Sequence, residues 1–127
     1  MKKIALMAVG AVCFGCWQSL AADQVDFKKQ VQPILEKNCV KCHGPEKQKG
    51  GLRFDTKEGA FKTGESGEIA IVPGRANESR LIKLVSSKDD EERMPSKGDA
   101  LSAAQIDLLK RWIDASAAGG ELSLNSF

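Results

Sequence analysis

The strongest constraint on this chain is the C-x-x-C-H motif formed by Cys39, Cys42 and His43. Two thiols at this spacing can add across the two vinyl groups of one porphyrin, and the adjacent imidazole can then reach the iron. His43 is the only histidine in the 127 residues, so the chain itself offers no second imidazole. The motif therefore predicts one covalently attached haem c, anchored by Cys39 and Cys42 and ligated by His43.

Residues 1–22 have the layout of a secretory signal peptide. A positive start and an apolar run over residues 4–14 precede small residues that allow cleavage after Ala21 or Ala22. A membrane anchor is the alternative, but the run is shorter than the roughly 20 apolar residues of a spanning helix. We predict a periplasmic or otherwise secreted protein with one domain over residues 23–127 and no integral membrane span.

The charge balance gives no indication of nucleic-acid binding. The whole chain has 19 basic and 17 acidic residues, and the predicted signal removes Lys2 and Lys3, which leaves 17 of each. Basic residues form no stripe with interleaved aromatic side chains, the usual footprint of a nucleic-acid surface. We expect a redox protein of unknown identity as the partner, no nucleic acid, and a monomer.

Other uses of the cysteines need more ligands than the mature chain has. A structural zinc site takes four N or S ligands and an iron–sulfur cluster generally four cysteines. Either would need a carboxylate or a second chain here. Cys13 and Cys16 also form a C-x-x-C, but they lie in the predicted signal and Trp17 follows them. No alternation of strands and helices suggests a thioredoxin-like dithiol, whereas a plain disulfide between Cys39 and Cys42 stays open for a secreted chain.

An amphipathic segment predicts a first helix that leads into the motif. Its apolar stripe consists of Phe27, Val31, Ile34 and Leu35. Asp26 can cap this helix. Pro33 should kink or restart it, with the missing N–H donor on the solvent side.

A second amphipathic segment predicts the last helix. Ser102 and Gln105 have the spacing of a capping box at its start, and residues 119–120, both glycine, should stop it. The predicted buried face consists of Ile106, Leu108, Leu109, Trp112 and Ile113. Trp112 should pack against the first helix and the haem edge.

The middle of the chain is rich in glycine and has weaker signals. Residues 52–54 and 69–72 are expected to be short extended segments that could pair as a two-stranded β element, and residues 73–74 are a Pro-Gly turn. A short helix is marked by Leu81, Leu84 and Val85. It should begin near Asn77 or Ser79.

Met94 is the candidate for the second axial ligand. It is the only methionine left once the signal is removed, and Pro95 after it stiffens the loop. A thioether opposite a histidine raises the haem potential, because the soft sulfur favours ferrous iron. The alternative is that Met94 is an ordinary core residue.

Seven short elements follow one another along the chain: VQPIL at residues 31–35, CVKCHG at 39–44, GGLRFD at 50–55, IVPG at 71–74, SRLI at 79–82, MP at 94–95 and a final segment at 101–113. In this order they resemble the planctomycete-type cytochrome c domain, over roughly residues 27–117. The resemblance implies a mainly α fold, a small cytochrome c-like helical domain wrapped around one haem. It also implies His43 as the proximal ligand and Met94 as the distal ligand.

Four arginines are candidates to pair with the haem propionates: Arg53, Arg75, Arg80 and Arg93. The position of Arg53 in the resembling stretch favours it, and the alternative for each is an ordinary surface charge. We predict a monohaem electron carrier or electron-entry protein, not an enzyme. The alternatives are a peroxidase-like haem enzyme or a haem-based ligand sensor, each of which needs a displaceable distal ligand.

Charge is distributed unevenly around the predicted ligands. Lys41, Lys47 and Lys49 flank the motif, whereas the acidic run at residues 89–92 precedes Met94. Opposed patches would orient a diffusing partner and raise its encounter rate. The alternative is that both are solvated loops.

Overall fold

A computed structural model describes residues 25–116, and over this range the fold is helical. Its elements are a π-helical turn at Phe27–Val31, helix α1 at Gln32–Asn38, a 3-10 turn at Lys49–Gly51, α2 at Lys57–Ala60, a 3-10 turn at Ala76–Glu78, α3 at Arg80–Val85 and α4 at Ala103–Ala115. The predicted mainly α class is confirmed. The predicted signal peptide lies outside the described residues. Within them, no helix is both long enough and apolar enough to cross a membrane.

The first helix forms where the apolar stripe predicts it. The Asp26 carboxylate accepts a hydrogen bond from the Lys29 backbone N–H, which caps the π-helical turn. Pro33 occupies the first turn of α1, where its missing N–H removes no helical hydrogen bond, so the helix restarts there as predicted. All four residues of the predicted stripe are buried.

Helix α4 begins with the predicted capping box. The Ser102 hydroxyl accepts from the Gln105 N–H at 3.2 Å, and the Gln105 side chain accepts from the Ser102 N–H at 2.9 Å. Its buried residues are Leu109, Trp112 and Ile113, with Ile106 and Leu108 partly buried beside them. The helix ends at Ala115, and residues 119–120 lie outside the described part of the chain.

The core joins the two ends of the domain. The rings of Phe27 and Trp112 lie 5.3 Å apart, centroid to centroid, which confirms the predicted contact between α4 and the first helix. Helix α4 also packs against α3 and against the turn at Ala76–Glu78. Aromatic pairs of this kind contribute about 0.5–1.5 kcal/mol beyond the area they bury.

The predicted β element is wrong. Within residues 25–116 the backbone has two isolated bridges, His43 with Gln48 and Thr63 with Ile69, and segments 52–54 and 69–72 do not pair. Their backbone groups have other partners. The carbonyls of Ile69 and Ala70 accept from the first N–H groups of α3, at 3.2 and 3.0 Å, and the Phe54 N–H donates to the His43 carbonyl.

Helix α3 begins after Ser79, at one of the two predicted positions. Ser79 is fully buried, and its hydroxyl accepts from the Val72 N–H and donates to the Arg75 carbonyl. This hydroxyl fixes the Pro-Gly turn that precedes the helix. Among the apolar residues of α3, Ile82 is buried and Leu84 is only half-buried, a correction to the predicted stripe.

The end of α4 holds the same turn from the other side. The Gly74 N–H donates to the Ile113 carbonyl at 2.8 Å, and the Ala76 N–H donates to the Asp114 carboxylate at 2.8 Å. Gly74 has a φ of 75°, which permits the turn at little steric cost because glycine has no Cβ. The start of α3 is therefore positioned by α4.

Candidate functional site

The C-x-x-C-H motif continues α1 by one turn. The Cys39 N–H donates to the Leu35 carbonyl, and the Cys39 carbonyl accepts from both Cys42 and His43, at 3.1 and 2.9 Å. Residues three apart on such a turn lie on the same side. The two cysteines are free thiols, and Cys39 is buried while Cys42 is half-exposed.

The thiol of Cys39 is poorly ionised in this environment. Burial raises its pKa to about 12, because the thiolate would lose its hydration. Within residues 25–116, no three histidine, cysteine, aspartate or glutamate side chains form a group that could hold a metal ion. The motif is therefore a pair of thiols beside one imidazole, and it has no preformed cluster of the zinc type.

The His43 ring is oriented by a backbone carbonyl. Its Nδ1 lies 2.9 Å from the carbonyl oxygen of Lys49. Because a carbonyl can only accept, Nδ1 carries the hydrogen and Nε2 keeps its lone pair for a metal. Burial lowers the pKa of His43 and outweighs the backbone hydrogen bonds that raise it, which favours the neutral imidazole.

Residues 44–51 form a tight loop, here called the motif loop, that returns the chain to His43. The Gly44 N–H donates to the Lys47 carbonyl at 2.7 Å, and the Lys49 N–H donates to the Cys42 carbonyl at 3.0 Å. A Cβ on Gly44 would clash with the Val40 carbonyl and lie 2.8 Å from the Val40 side chain. Glycine at position 44 is therefore a packing requirement of the loop that orients His43.

Phe54 holds the imidazole from another direction. Its ring meets the His43 ring nearly edge-on, with centroids 5.5 Å apart and an interplanar angle of 76°. Its N–H donates to the His43 carbonyl at 2.8 Å. Phe54 is buried, so the imidazole lies against a fixed apolar wall.

Met94 is attached to a different part of the fold. It is partly buried against the core, and its N–H donates to the Leu84 carbonyl at the end of α3, at 3.1 Å. The peptide bond between Met94 and Pro95 is cis. Among the described residues, no hydrogen bond joins this loop to the C-x-x-C-H motif. The distal role of Met94 stays a prediction.

Comparison with known families supplies the remaining observation. Residues 39–98, which run from the first cysteine of the motif past Met94, match the model of the family described as Planctomycete cytochrome C. This region is a planctomycete-type cytochrome c domain. The match is narrower than the predicted resemblance over residues 27–117, and it leaves α4 outside. Neither the curated proteins nor the solved structures contain a match to the chain.

The residues of the cytochrome c domain fit a covalent haem. Such a group needs two thiols on one side of a turn and an imidazole with a free Nε2, and the geometry around His43 meets both needs. Among residues 25–116, Arg93 Nε and Trp112 Nε1 are the buried side-chain nitrogens without an acceptor. The domain therefore contains the residues that a haem c requires.

The four candidate arginines differ in their surroundings. Arg53 forms a double hydrogen bond with Asp55, and this interaction lowers the pKa of the Asp55 carboxyl. Arg75 pairs with Glu78 and Arg80 with Glu68, at 3.2 and 2.8 Å. Arg93 pairs with Asp90 at 3.0 Å but keeps its Nε buried and unpartnered. The propionate role favoured for Arg53 stays a prediction.

A cleft of about 220 Å³ adjoins the motif, between α1 and residues 54–55. Its lining residues are Gln32, Leu35, Glu36, Val40, Phe54 and Asp55. Two of these are carboxylates, which disfavours an anionic ligand in the cleft.

Sequence reasoning did not predict the supports of His43. The Lys49 carbonyl is a backbone group that every residue possesses, so no sequence signal marks it. Gly44 and Phe54 belong to stretches that resemble the family, but their packing roles depend on how the motif loop folds back. A glycine directly after the C-x-x-C-H motif was the one local signal available.

Proposed function

We propose that this c-type cytochrome is a secreted monohaem protein that passes electrons to or from a redox partner and catalyses no reaction itself. The observation that carries the proposal is the imidazole of His43, whose Nδ1 donates to the Lys49 carbonyl beside two free cysteines. That arrangement prepares Nε2 as a ligand before any metal is present.

Each residue has a distinct part in this function. Cys39 and Cys42 hold the group covalently, so the cofactor cannot be lost to the medium after secretion. A bound haem c supplies a one-electron couple between ferric and ferrous iron. His43 is the proximal ligand, and Phe54 restricts rotation of its ring.

Met94 is the proposed distal ligand. Its thioether has the softness that favours ferrous iron, and its long, unbranched side chain can reach inward from a loop. The Leu84 carbonyl holds its backbone, and the core covers part of its side chain. Occupation of the distal position by sulfur is what favours electron transfer over peroxidase-like chemistry or ligand sensing.

A partner can approach the domain on the side of the motif loop. Residues 45–50 are exposed, including Lys47 and Lys49. Lys41, within the motif, is exposed as well. Electron exchange by a small carrier needs such an accessible face and no substrate pocket.

The covalent attachment is tested by denaturing the purified protein and extracting it with acidic solvent. Haem should stay on the wild-type polypeptide, and Cys39→Ala with Cys42→Ala should abolish attachment. Cys13→Ala with Cys16→Ala is the matched control, because that second C-x-x-C lacks the histidine, and it should keep full haem content. Haem that leaves the wild-type protein freely contradicts the proposal.

Secretion is tested by the mass of the exported protein. Cleavage of the predicted signal gives a chain that begins at Ala22 or Asp23. Carbon monoxide then distinguishes the carrier from the two alternatives. The reduced wild-type protein should bind it poorly, and rapid stoichiometric binding would instead favour a haem enzyme or a sensor.

A further inference from the structure

The segment at residues 62–69, here called the 62–69 loop, contacts the motif loop from outside the C-x-x-C-H motif. The Glu65 N–H donates to the Gly50 carbonyl at 2.8 Å. Gly50 follows Lys49, whose carbonyl oxygen lies 2.9 Å from His43 Nδ1. The hydrogen bond from Glu65 therefore holds the peptide next to the one that orients the His43 ring. This segment belongs to none of the seven sequence elements that resemble the family, so no sequence pattern indicated a role for it.

Gly64 lies directly against the motif loop. A Cβ at position 64 would be 3.0 Å from the Gly50 carbonyl oxygen and 3.1 Å from the Leu52 side chain. Non-bonded heavy atoms pack best at about 3.5–4.0 Å, so an added methyl group would press on the motif loop. Gly64 is not among the glycines with a positive φ. Its missing Cβ therefore serves the close approach of the two loops and no unusual backbone conformation.

The 62–69 loop is fixed on its other side as well. The Gly64 N–H donates to the Glu68 carbonyl at 3.1 Å, which closes the loop on itself. The Glu68 carboxylate pairs with Arg80 at 2.8 Å and with Lys83 at 3.3 Å, both on α3. The loop is therefore attached to the helical part of the domain while it contacts the motif loop.

The hydrogen bond made by a ligating imidazole affects how strongly the ring donates to iron. Donation from Nδ1–H to an acceptor raises the basicity of the ligand, and a more basic ligand favours ferric iron. A weaker bond between His43 Nδ1 and the Lys49 carbonyl should therefore raise the reduction potential. Entry of water acts in the opposite direction, because water stabilises the additional charge of ferric iron. The sign of a potential shift thus distinguishes a change in the position of the carbonyl from a general loosening of the fold.

We propose that Gly64 and Glu65 are positioning residues for the proximal ligand: they hold the Gly50 peptide in place, and with it the Lys49 carbonyl that orients His43. The inference rests on the proposed function, since it concerns a haem ligated by this histidine. A shift of the motif loop away from the 62–69 loop would break the hydrogen bond from Glu65. A segment outside the motif therefore contributes to the reduction potential of the domain.

The test uses the full-length holoprotein, with covalent haem first verified by acid extraction. Gly64→Ala presses a methyl group on the Gly50 carbonyl. His43 is the only histidine, so protein made with ¹⁵N-histidine has one labelled ring. In the reduced variant, the Nδ1–H signal should move upfield and exchange faster with D₂O than in the wild type. The reduction potential, measured by spectroelectrochemistry, should rise.

Gly67→Ala is the matched control in the same loop. Gly67 has a φ of 79°, so alanine is strained there, but a Cβ would have no neighbour within 4 Å. This variant loses stability without pressing on the motif loop, so its Nδ1–H signal and its potential should equal those of the wild type.

Three results for Gly64→Ala with attached haem would overturn the inference and leave the proposed function intact. These are an unmoved Nδ1–H signal, a fall in potential, and shifts equal to those of Gly67→Ala. A wild-type protein without covalent haem would instead contradict the proposed function.

A measurement on the wild type does not depend on how Gly64→Ala folds. Glu65 and Ser66 are both exposed neighbours, but within residues 25–116 the Glu65 N–H has a hydrogen-bond acceptor and the Ser66 N–H has none. After correction for intrinsic rates, amide exchange in the holoprotein should be at least about tenfold slower at Glu65 than at Ser66. Equal exchange rates would contradict the role of Glu65.

Discussion

The motif loop and the loop at residues 94–100, here called the Met94 loop, are held in the fold in different ways. The Lys49 N–H donates to the Cys42 carbonyl, and the Lys49 carbonyl accepts from His43 Nδ1. Phe54 closes the same unit through its N–H bond to the His43 carbonyl and its ring contact with the imidazole. The Met94 loop meets α3 through one bond to the Leu84 carbonyl, and residues 95–100 make no hydrogen bond to any other described residue. The surroundings of His43 are therefore fixed by hydrogen bonds within the protein, whereas the Met94 loop is fixed by few of them.

The difference in hydrogen bonding suggests different roles for the motif loop and the Met94 loop. A rigid proximal side keeps the His43 imidazole in the tautomer and orientation that a metal needs. The Met94 loop has few hydrogen bonds of its own to the rest of the fold, so its conformation is less fixed by the backbone. Disruption of the first should therefore damage folding and attachment, while disruption of the second should change ligand binding and potential.

The largest effect is expected for Gly44→Ala in the motif loop. The new Cβ would overlap the Val40 carbonyl, and overpacking of this kind costs about 1–3 kcal/mol or more. In a small domain this should sharply reduce the yield of covalent haem, measured by absorbance per polypeptide.

Gly50→Ala is the matched control for that substitution. Its φ is 64°, but a Cβ there would have no neighbour within 4 Å. Only the left-handed backbone is penalised, by about 1–2 kcal/mol, so more haem should be attached than in Gly44→Ala. Equal yields in the two variants would show that the contact with Val40 is unimportant.

Met94→Ala should affect the distal side and leave the fold in place. The reduction potential should fall, because the sulfur that favours ferrous iron is lost. Carbon monoxide should bind the ferrous variant at least about tenfold more tightly than the wild type, equivalent to about 1.4 kcal/mol. Spectroelectrochemistry and carbon monoxide titration give the two values.

Leu108→Ala is the matched control, because Leu108 on α4 is likewise an apolar side chain partly buried against the core. It should lower the free energy of unfolding without a change in carbon monoxide affinity. If Met94→Ala behaves in the same way as Leu108→Ala, Met94 is a core residue and the distal ligand lies elsewhere.

The lysines in the C-x-x-C-H motif and the motif loop allow a kinetic test of how a partner approaches. Reversal of Lys41, Lys47 and Lys49 to glutamate should slow electron transfer with a small anionic redox reagent and speed it with a cationic one. The rate changes should be several-fold at low salt. They should shrink at 1 M salt, where the Debye length, the range of interactions between exposed charges, is only about 3 Å. Stopped-flow mixing measures both rates.

The same charge change outside the motif loop provides the control. Lys28, Lys57 and Lys62 are exposed and lie elsewhere in the sequence. Their reversal should alter both rates much less. If the electron-transfer rates change neither with salt nor on reversal of Lys41, Lys47 and Lys49, these lysines are solvated charges that do not guide a partner.

The smallest effect concerns Asp55, which follows Phe54. The Arg53 guanidinium lowers the pKa of the Asp55 carboxyl, so the pair stabilises the fold above the unfolded pKa near 4 and the contribution is lost as pH falls through the folded value. Both side chains are partly exposed, so solvent screening keeps the contribution of the pair to stability small.

In Asp55→Asn, the free energy of unfolding should therefore fall less steeply than in the wild type as the pH drops below about 4. Denaturant unfolding of the holoprotein between pH 2 and 5 measures it. Arg53→Gln should give the same profile, and the double variant should add nothing. An unchanged acid limb in Asp55→Asn would show that the pair is energetically neutral.

Side-chain patterns predicted the helices better than the connections between them. The apolar stripe before Cys39 and the Ser102 capping box consist of side chains, so residue types alone indicate them. Both predicted helices form. The proposed pairing of residues 52–54 with 69–72 failed because backbone groups decide it. The carbonyls of Ile69 and Ala70 accept hydrogen bonds from the first N–H groups of α3. The local sequence around residues 69–72 does not indicate this pairing.

The same distinction applies to the candidate site. The motif predicts Cys39, Cys42 and His43 as site residues directly, because thiol and imidazole chemistry is carried by residue type. The Lys49 carbonyl becomes visible as a partner of His43 only when the chain is folded. Its role depends on position, which residue type alone does not determine.

The contacts at the end of α4 define what can be transplanted as a unit. The family match stops at residue 98, yet Ile113 and Asp114 bind Gly74 and Ala76, and Trp112 covers Phe27. A graft limited to the matched region would carry Cys39 and Cys42 without the helix that holds the turn before α3 and packs on Phe27. Fusion of this cytochrome to another protein should therefore place the junctions before residue 25 and after residue 116.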